Sequence, residues 1–132
     1  MGKRILLATL CVFVLWSALD FFIHGVILRT VYEATASLWR PMAQMKMGLM
    51  YVTVLISALI FVLIYSRLVD RRNPGTGWKY GLLYGIGVGV GMGYGTYSVM
   101  PIPYSMALTW FLGTVVEVTL GGYLLGVLFR ER

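Results

Sequence analysis

The chain has 132 residues, of which 59% are hydrophobic and 12% charged, whereas a soluble domain has about 45–50% and 25%. This composition excludes an ordinary soluble fold, because too few polar residues are available to cover so much apolar surface. A lipid bilayer accommodates it, since a membrane-spanning helix needs about 20 consecutive apolar residues. The formal net charge of +6 does not indicate a nucleic-acid-binding face, because the basic residues lie at the ends of apolar segments, beside the expected lipid headgroups.

The first apolar segment predicts a membrane span over residues 5–28. Lys3 and Arg4 precede it, as in a signal peptide, but the apolar stretch continues without a small-residue cleavage site. We therefore expect a retained signal anchor. Cys11 is the single cysteine, which excludes a disulfide within the chain and a cysteine-ligated metal site.

Three further spans are predicted, at residues 48–65, 80–100 and 104–129. The second span is free of charged residues, and the third is rich in glycine. Their lengths match the thickness of the hydrocarbon core. Together the four spans predict an all-α integral membrane protein, a four-helix bundle that forms a single domain over residues 1–132.

The segment between the first two spans, residues 29–47, mixes charged, aromatic and apolar residues and is expected to lie at the membrane surface. Two interpretations stay open for Tyr32, Glu33, Trp39 and Arg40. They form the mouth of a site or a surface that recognises a partner, or they are an interfacial aromatic belt with one surface ion pair.

The glycines of the third predicted span form two overlapping stripes at i,i+4 spacing. One consists of Gly81, Gly85, Gly89 and Gly93, and the other of Gly87, Gly91 and Gly95. Glycine lets a neighbouring helix approach the backbone closely, so we expect tight packing within the bundle or against a partner. The alternative is a narrow pore, or a slot for a flat ligand such as a quinone or haem.

The distribution of Lys and Arg predicts that both termini are cytoplasmic, because basic residues concentrate on the inner side of a membrane. Eight of them fall on one side and three on the other. The eight are Lys3, Arg4, Arg67, Arg71, Arg72, Lys79, Arg130 and Arg132, and the three are Arg29, Arg40 and Lys46.

Asp20, His24 and Glu117 are ionisable residues inside predicted spans. Asp20 and His24 lie one turn apart on the same face of the first helix. At about 1.5 Å per residue, Asp20 and Glu117 lie roughly 22 Å and 18 Å from the cytoplasmic ends of their helices, at similar depth. Such groups are candidates for functional sites, and one open interpretation is a cluster that exchanges protons or binds a cation, including a metal ion. The alternative is that they only hold the helices together by hydrogen bonds.

Several short elements recur in a known group of proteins. As they stand here, they are Asp20, His24-Gly25, Tyr32-Glu33, Leu38-Trp39-Arg40-Pro41, Gly95-Thr96-Tyr97 and Pro101-Ile102-Pro103. On these elements, residues 19–41 and 93–111 resemble small bacterial four-helix membrane proteins of unknown function. The resemblance covers most of the chain. It implies a multi-pass protein of the bacterial inner membrane and supplies no activity.

The sequence lacks a nucleophile elbow, a phosphate loop, a zinc signature and a dinucleotide fingerprint, so we expect a non-enzymatic protein. The first hypothesis is an accessory or assembly subunit that packs within a larger membrane complex or against its own copies. The second is a small proton- or cation-coupled transporter or channel that uses Asp20, His24 and Glu117. No cofactor and no nucleic-acid partner is predicted, although a bound lipid, quinone, haem or cation is compatible with the residues.

Overall fold

The computed structural model describes residues 2–130, and all of their regular secondary structure is helical. Three helices are long and apolar enough to cross a membrane: Gly2–Ile27, Met47–Leu68 and Tyr104–Leu128. The predicted helical class, with helices suited to a membrane, is therefore confirmed. Arg132, one of the basic residues counted above, lies outside the described residues.

The first long helix consists of an α-helix, α1 (Gly2–Phe22), and a π-helical turn (Ile23–Ile27). A short helix, α2 (Arg29–Ala34), follows, and then two 3₁₀ turns, Ala36–Leu38 and Met42–Gln44. The mixed segment of the sequence is thus a series of short helical turns. Its polar residues interrupt the apolar pattern that a continuous helix would need.

The second long helix, α3 (Met47–Leu68), contains the predicted span at 48–65. After a short loop, α4 (Pro74–Val90) begins where the Asn73 side chain accepts a hydrogen bond from the Thr76 amide at 3.0 Å. This is a helix N-cap, and proline suits the first helical position because it has no amide hydrogen to satisfy. Asn73, Pro74 and Gly75, a sequence typical of turns, therefore start a helix here.

The glycine-rich helix continues from α4 through a second π-helical turn (Gly91–Gly95) into α5 (Thr96–Val99). It is not among the three helices that are long and apolar enough to cross a membrane. The α-helical part alone has 17 residues, and the π-helical turn ends it. After residues 100–103, in which Ile102 is buried, the last helix α6 (Tyr104–Leu128) begins.

One glycine stripe of α4 lies directly against α6, and the two helices run antiparallel. A Cβ atom on Gly77 would collide with the Gly122 carbonyl oxygen, and one on Gly81 with the Val118 carbonyl oxygen. Further along, a Cβ on Gly89 would lie 3.1 Å from the Phe111 carbonyl oxygen. No side chain fits between backbones at this separation, so the stripe is required for the pairing of these helices.

The other glycine stripe has no neighbouring helix within 4 Å among residues 2–130. A Cβ on Gly87 or Gly91 would meet no atom within 4 Å, and one on Gly95 would reach only Val90 of its own helix. The two stripes that look alike in the sequence therefore have different surroundings. One is closed inside the chain, and the other is open.

The helices meet in a buried apolar core. This core lies at the end of the molecule where α1 begins and α6 ends, and we call that end the termini end. The core comprises Ala8, Val12, Trp16, Ala58, Phe61, Val62, Tyr65, Val118, Leu125 and Phe129, with Tyr80 and Tyr84 of α4 packed against it. Arg4 joins the two terminal helices there: its Nε donates to the Leu128 carbonyl oxygen at 2.7 Å, and its guanidinium lies 5.2 Å from the centroid of the Phe129 ring. The opposite end, with α2 and residues 100–103, is called the connector end.

Candidate functional site

A cavity of about 50 Å³ lies toward the connector end, between α1, α6 and the second π-helical turn. Asp20 and His24 line it from the first helix, and Glu117 lines it from α6. The remaining lining residues are Ile23, Met92, Trp110, Gly113 and Thr114. The three ionisable residues singled out in the sequence therefore surround one space.

Glu117 is the most buried of the three, with 9% of its surface exposed. Its Oε1 atom has no hydrogen-bond partner among the described residues. Its backbone carbonyl accepts a hydrogen bond from Trp16 Nε1 at 3.0 Å, which ties α1 to α6 next to the cavity. A buried carboxyl oxygen without a partner is costly, so this position is an unusual one for a carboxyl that has no role beyond packing.

Asp20 connects the other two ionisable side chains. Its Oδ1 lies 3.7 Å from Nε2 of His24, one helical turn away. On its other side it is close enough to the Glu117 carboxyl for a hydrogen bond between the two side chains. Such a bond needs one of the two carboxyls to be protonated, since two carboxylates have only acceptors. The pair therefore favours sharing a proton.

His24 links this cluster to the connector end of the molecule. Its Nδ1 lies 2.6 Å from the Tyr32 hydroxyl on α2, and the same hydroxyl accepts a hydrogen bond from Trp110 Nε1 at 2.9 Å. The rings of Tyr32 and Trp39 are 5.4 Å apart, and those of Trp39 and Trp110 are 6.0 Å apart. Two residues that the sequence assigned to a separate surface group thus belong to the surroundings of the cavity.

The charged residues of that surface group lie elsewhere. Glu33 forms the surface ion pair of the segment with Arg29, at 3.1 Å, and both side chains are exposed. Arg40 is exposed and does not line the cavity. The segment is therefore divided: its aromatic residues pack toward the site, and its charged residues face outward.

Two π-helical turns flank the cavity. Ile23–Ile27 carries His24, and Gly91–Gly95 carries Met92, and both residues line the cavity. A π-helical turn accommodates one extra residue, which shifts the direction of the side chains around it, and such turns are frequent at functional sites. Nothing in the apolar pattern of the sequence signals them.

Glycines of α6 allow α1 to come close at this level. A Cβ on Gly113 would lie 2.9 Å from Cδ1 of Ile23, and one on Gly121 would lie 2.8 Å from Nε1 of Trp16. Sequence reasoning missed Trp110, Gly113 and Thr114 as lining residues. Their spacing of seven, four and three residues before Glu117 places them on one helix face, and this signal was available in the sequence.

The three ionisable side chains do not converge as metal ligands. Within residues 2–130, no three His, Cys, Asp or Glu side chains come close enough together to hold a metal ion. Asp20 and His24 lie side by side along one wall, and Glu117 approaches Asp20 from the facing helix. The arrangement suits the transfer of protons between neighbours better than coordination around one point.

Comparison with known proteins gives no further guide. No family model, curated protein or solved structure matches this chain. The likeness to small bacterial four-helix membrane proteins stays a prediction from the sequence. The function is therefore argued from the geometry of the site.

Proposed function

We propose that this chain crosses the bacterial inner membrane four times and exchanges protons at Asp20, His24 and Glu117. The glycine-rich helix over residues 74–99 serves as the additional span. Its 26 residues extend about 39 Å, more than the roughly 30 Å of a hydrocarbon core. Its antiparallel packing along α6, which is itself long and apolar enough to cross, supports this assignment.

Both termini are proposed to be cytoplasmic. The contact of Arg4 with the Leu128 carbonyl puts the start of α1 and the end of α6 at the same end of the molecule. The α3–α4 loop belongs to that end too, because the Cβ of Gly126 would lie beside Asn73. Eight of the eleven Lys and Arg residues belong to these regions of the sequence, which supports a cytoplasmic side there.

The size of the cavity supports a proton as the transferred species. A water molecule needs roughly 10–15 Å³ of such space, so about 50 Å³ holds a few waters but not the ring of a quinone or a haem. Ionisable groups within membrane helices are commonly parts of proton relays. The single observation that carries the proposal is the buried Oε1 of Glu117, which has no hydrogen-bond partner among residues 2–130, on a side chain adjacent to a second carboxyl.

The surroundings of the site support exchange with the outer side. Toward the connector end, His24 and Tyr32 continue the polar path to the surface segment. Toward the termini end, the apolar side chains of Val12, Val118 and Leu125 close the space between the helices. Proton transfer across the whole membrane therefore requires a second arrangement of α1 and α6, in which this apolar contact opens.

The test uses liposomes that contain the purified protein and a pH-sensitive dye. After a pH step across the membrane, the parent is expected to carry protons, and Glu117→Gln and Asp20→Asn are expected to abolish this flux because each removes a titrating oxygen. Both variants should keep the thermal stability of the parent in detergent.

Glu33→Gln is the matched control, because Glu33 is an exposed carboxylate of the same chemistry that pairs with Arg29 away from the cavity. It should carry protons at the rate of the parent. A parent without flux, or flux that persists in both cluster variants, would overturn the proposal.

An accessory or assembly role is the second candidate, and the open glycine stripe favours it. Gly87 and Gly91 have space above them that no described part of the chain fills, which permits close approach of a second copy or another membrane helix. Replacing both with leucine should leave the monomer folded and remove any association seen for the parent on native gels. A parent that is monomeric in mild detergent, or association that survives the double replacement, would count against this role.

A further inference from the structure

The hydroxyl of Tyr32 lies between two side chains from different helices. Trp110 Nε1 lies 2.9 Å from it and His24 Nδ1 lies 2.6 Å from it. An indole nitrogen is only a donor, so Trp110 donates and occupies one lone pair of the hydroxyl oxygen. The remaining lone pair and the O–H hydrogen are available for His24.

The O–H hydrogen determines which way the second bond runs. In the part of the chain that the structure describes, the Tyr32 hydroxyl has hydrogen bonds to His24 and Trp110 only. Since Trp110 cannot accept, His24 Nδ1 is the one acceptor that the O–H can reach. If Nδ1 carried a hydrogen instead, the O–H would have no acceptor among the described residues in this part-buried contact, which is unfavourable.

The contact of the other ring nitrogen, Nε2, also favours a hydrogen on Nε2 and none on Nδ1. His24 Nε2 faces Oδ1 of Asp20 at 3.7 Å. A hydrogen on Nε2 points toward a carboxyl oxygen, which attracts it. A bare Nε2 would place its lone pair against the lone pairs of that oxygen, which is repulsive.

We propose that Tyr32 is a positioning residue that donates its O–H to Nδ1 of His24 and keeps the neutral imidazole protonated on Nε2, facing Asp20. The inference rests on the proposed function for its purpose, because this tautomer aims the exchangeable hydrogen of His24 at the carboxyl pair. Its geometry stands independently of that function.

The protonation state of the Tyr32 hydroxyl is consistent with its role as a donor. Burial raises the pKa of Tyr32, which also lies near Asp20, while the hydrogen bond from Trp110 acts in the opposite direction. The hydroxyl therefore keeps its hydrogen at neutral pH and remains able to donate. The titratable groups around His24 are Asp20 on its own helix, Tyr32 on α2 and Glu117 across the cavity.

A change of direction follows when His24 takes up a proton. Both ring nitrogens then carry hydrogens, so Nδ1 becomes a donor and the Tyr32 oxygen must accept from it. The hydroxyl hydrogen then has to rotate away from His24. The added proton comes from water, and no covalent bond of the protein breaks. Protonation of His24 therefore changes the direction of a hydrogen bond to Tyr32 on α2, in the surface segment.

Nitrogen NMR of histidine tests the proposal directly, since His24 is the single histidine of the chain. The protein is labelled with ¹⁵N-histidine, purified without a histidine tag and recorded in lipid at a pH where the imidazole is neutral. The parent should show one tautomer, with the hydrogen on Nε2 and a hydrogen-bonded, unprotonated Nδ1. In Tyr32→Phe, which keeps the ring, the second tautomer should appear and the Nδ1 hydrogen-bond shift should be lost.

Tyr97→Phe is the control, because Tyr97 is an exposed tyrosine that packs on Tyr104 and not on His24. Its spectrum should match that of the parent. A parent with the hydrogen on Nδ1, or a Tyr32→Phe spectrum identical to the parent, overturns the proposal, and the parent spectrum alone decides if the variant does not fold. Loss of proton flux in Glu117→Gln tests the proposed function separately, since that variant keeps the Tyr32 contact.

Discussion

The same two helices, α1 and α6, enclose an apolar core at one end of the molecule and a polar cavity toward the other. At the termini end, α1 and α6 enclose apolar side chains such as Val12 and Leu125, both without exposed surface. Two turns toward the connector end, the same helices enclose a cavity with Glu117 and Asp20. The first region is filled by apolar side chains and the second contains polar ones, so stability and chemistry occupy separate parts of one short chain.

The cavity lies where its polar groups are supported by close helix packing. Burying a carboxyl is costly unless it is hydrogen-bonded or neutral. Here the buried carboxyl of Glu117 belongs to α6, which packs closely on α4 because the glycines leave no space between the two helices. We infer that this rigid pair supports the less tightly packed region around the cavity.

The largest expected effect comes from filling the glycine contact. Gly81→Leu would drive a side chain into the Val118 carbonyl, and because this neighbour is backbone, α4 and α6 must separate. We expect little or no folded protein in detergent by gel filtration. Gly87→Leu, six residues along the same helix and open to its surroundings, is the matched control. Equal yields of folded protein from the two variants would contradict the close pairing of these helices.

An intermediate effect on stability is expected from placing glutamine in the apolar core, compared with placing it at the cavity. Leu125→Gln puts an amide into the apolar core and loses a packed leucine, at a cost of about 2–5 kcal/mol. Glu117→Gln keeps the shape and one hydrogen-bonding oxygen at the cavity, and we expect a change within about 1 kcal/mol. Denaturation in mixed micelles measures both free energies of unfolding. If Glu117→Gln were the more damaging variant, the cavity rather than the apolar core would be the main source of stability.

The smallest expected effect concerns the junction of the terminal helices. Arg4→Met removes the hydrogen bond to the Leu128 carbonyl and the contact with the Phe129 ring. Charges at a helix C-terminus and cation–π contacts each contribute about 0.3–1 kcal/mol at exposed sites. Thermal unfolding should therefore shift slightly downward, while proton flux stays at the parental level. Lys3→Met, at the neighbouring exposed position, should have a smaller effect still.

Much of the fold was predictable because it depends on composition and length. The apolar runs around Val12, Val62 and Leu125 are long enough for membrane helices, and the structure contains helices there. The glycine stripe was also visible, but periodicity alone does not say which face meets which helix. Nothing in the sequence distinguishes Gly85, which packs on α6, from Gly87, which is open.

The site was predictable only in part for a related reason. Asp20, His24 and Glu117 stood out because charged residues are rare in apolar helices. Tyr32 was assigned to a separate surface group, because its contact with His24 depends on α2 turning back toward the first helix after the π-helical turn. Local irregularities of this kind arise from tertiary packing, and a pattern of apolar residues does not record them.

The contact between Arg4 and Leu128 joins residues 124 positions apart in the chain, and this has a consequence for biosynthesis. At about 5–20 residues per second, a ribosome needs roughly 6–25 s to make the intervening chain. If the chain enters the membrane as it is made, Asp20 and His24 are inserted long before Glu117 exists. During that interval α3 is the first long partner available to α1, and the first helix must tolerate an incomplete polar cluster until translation of α6 ends.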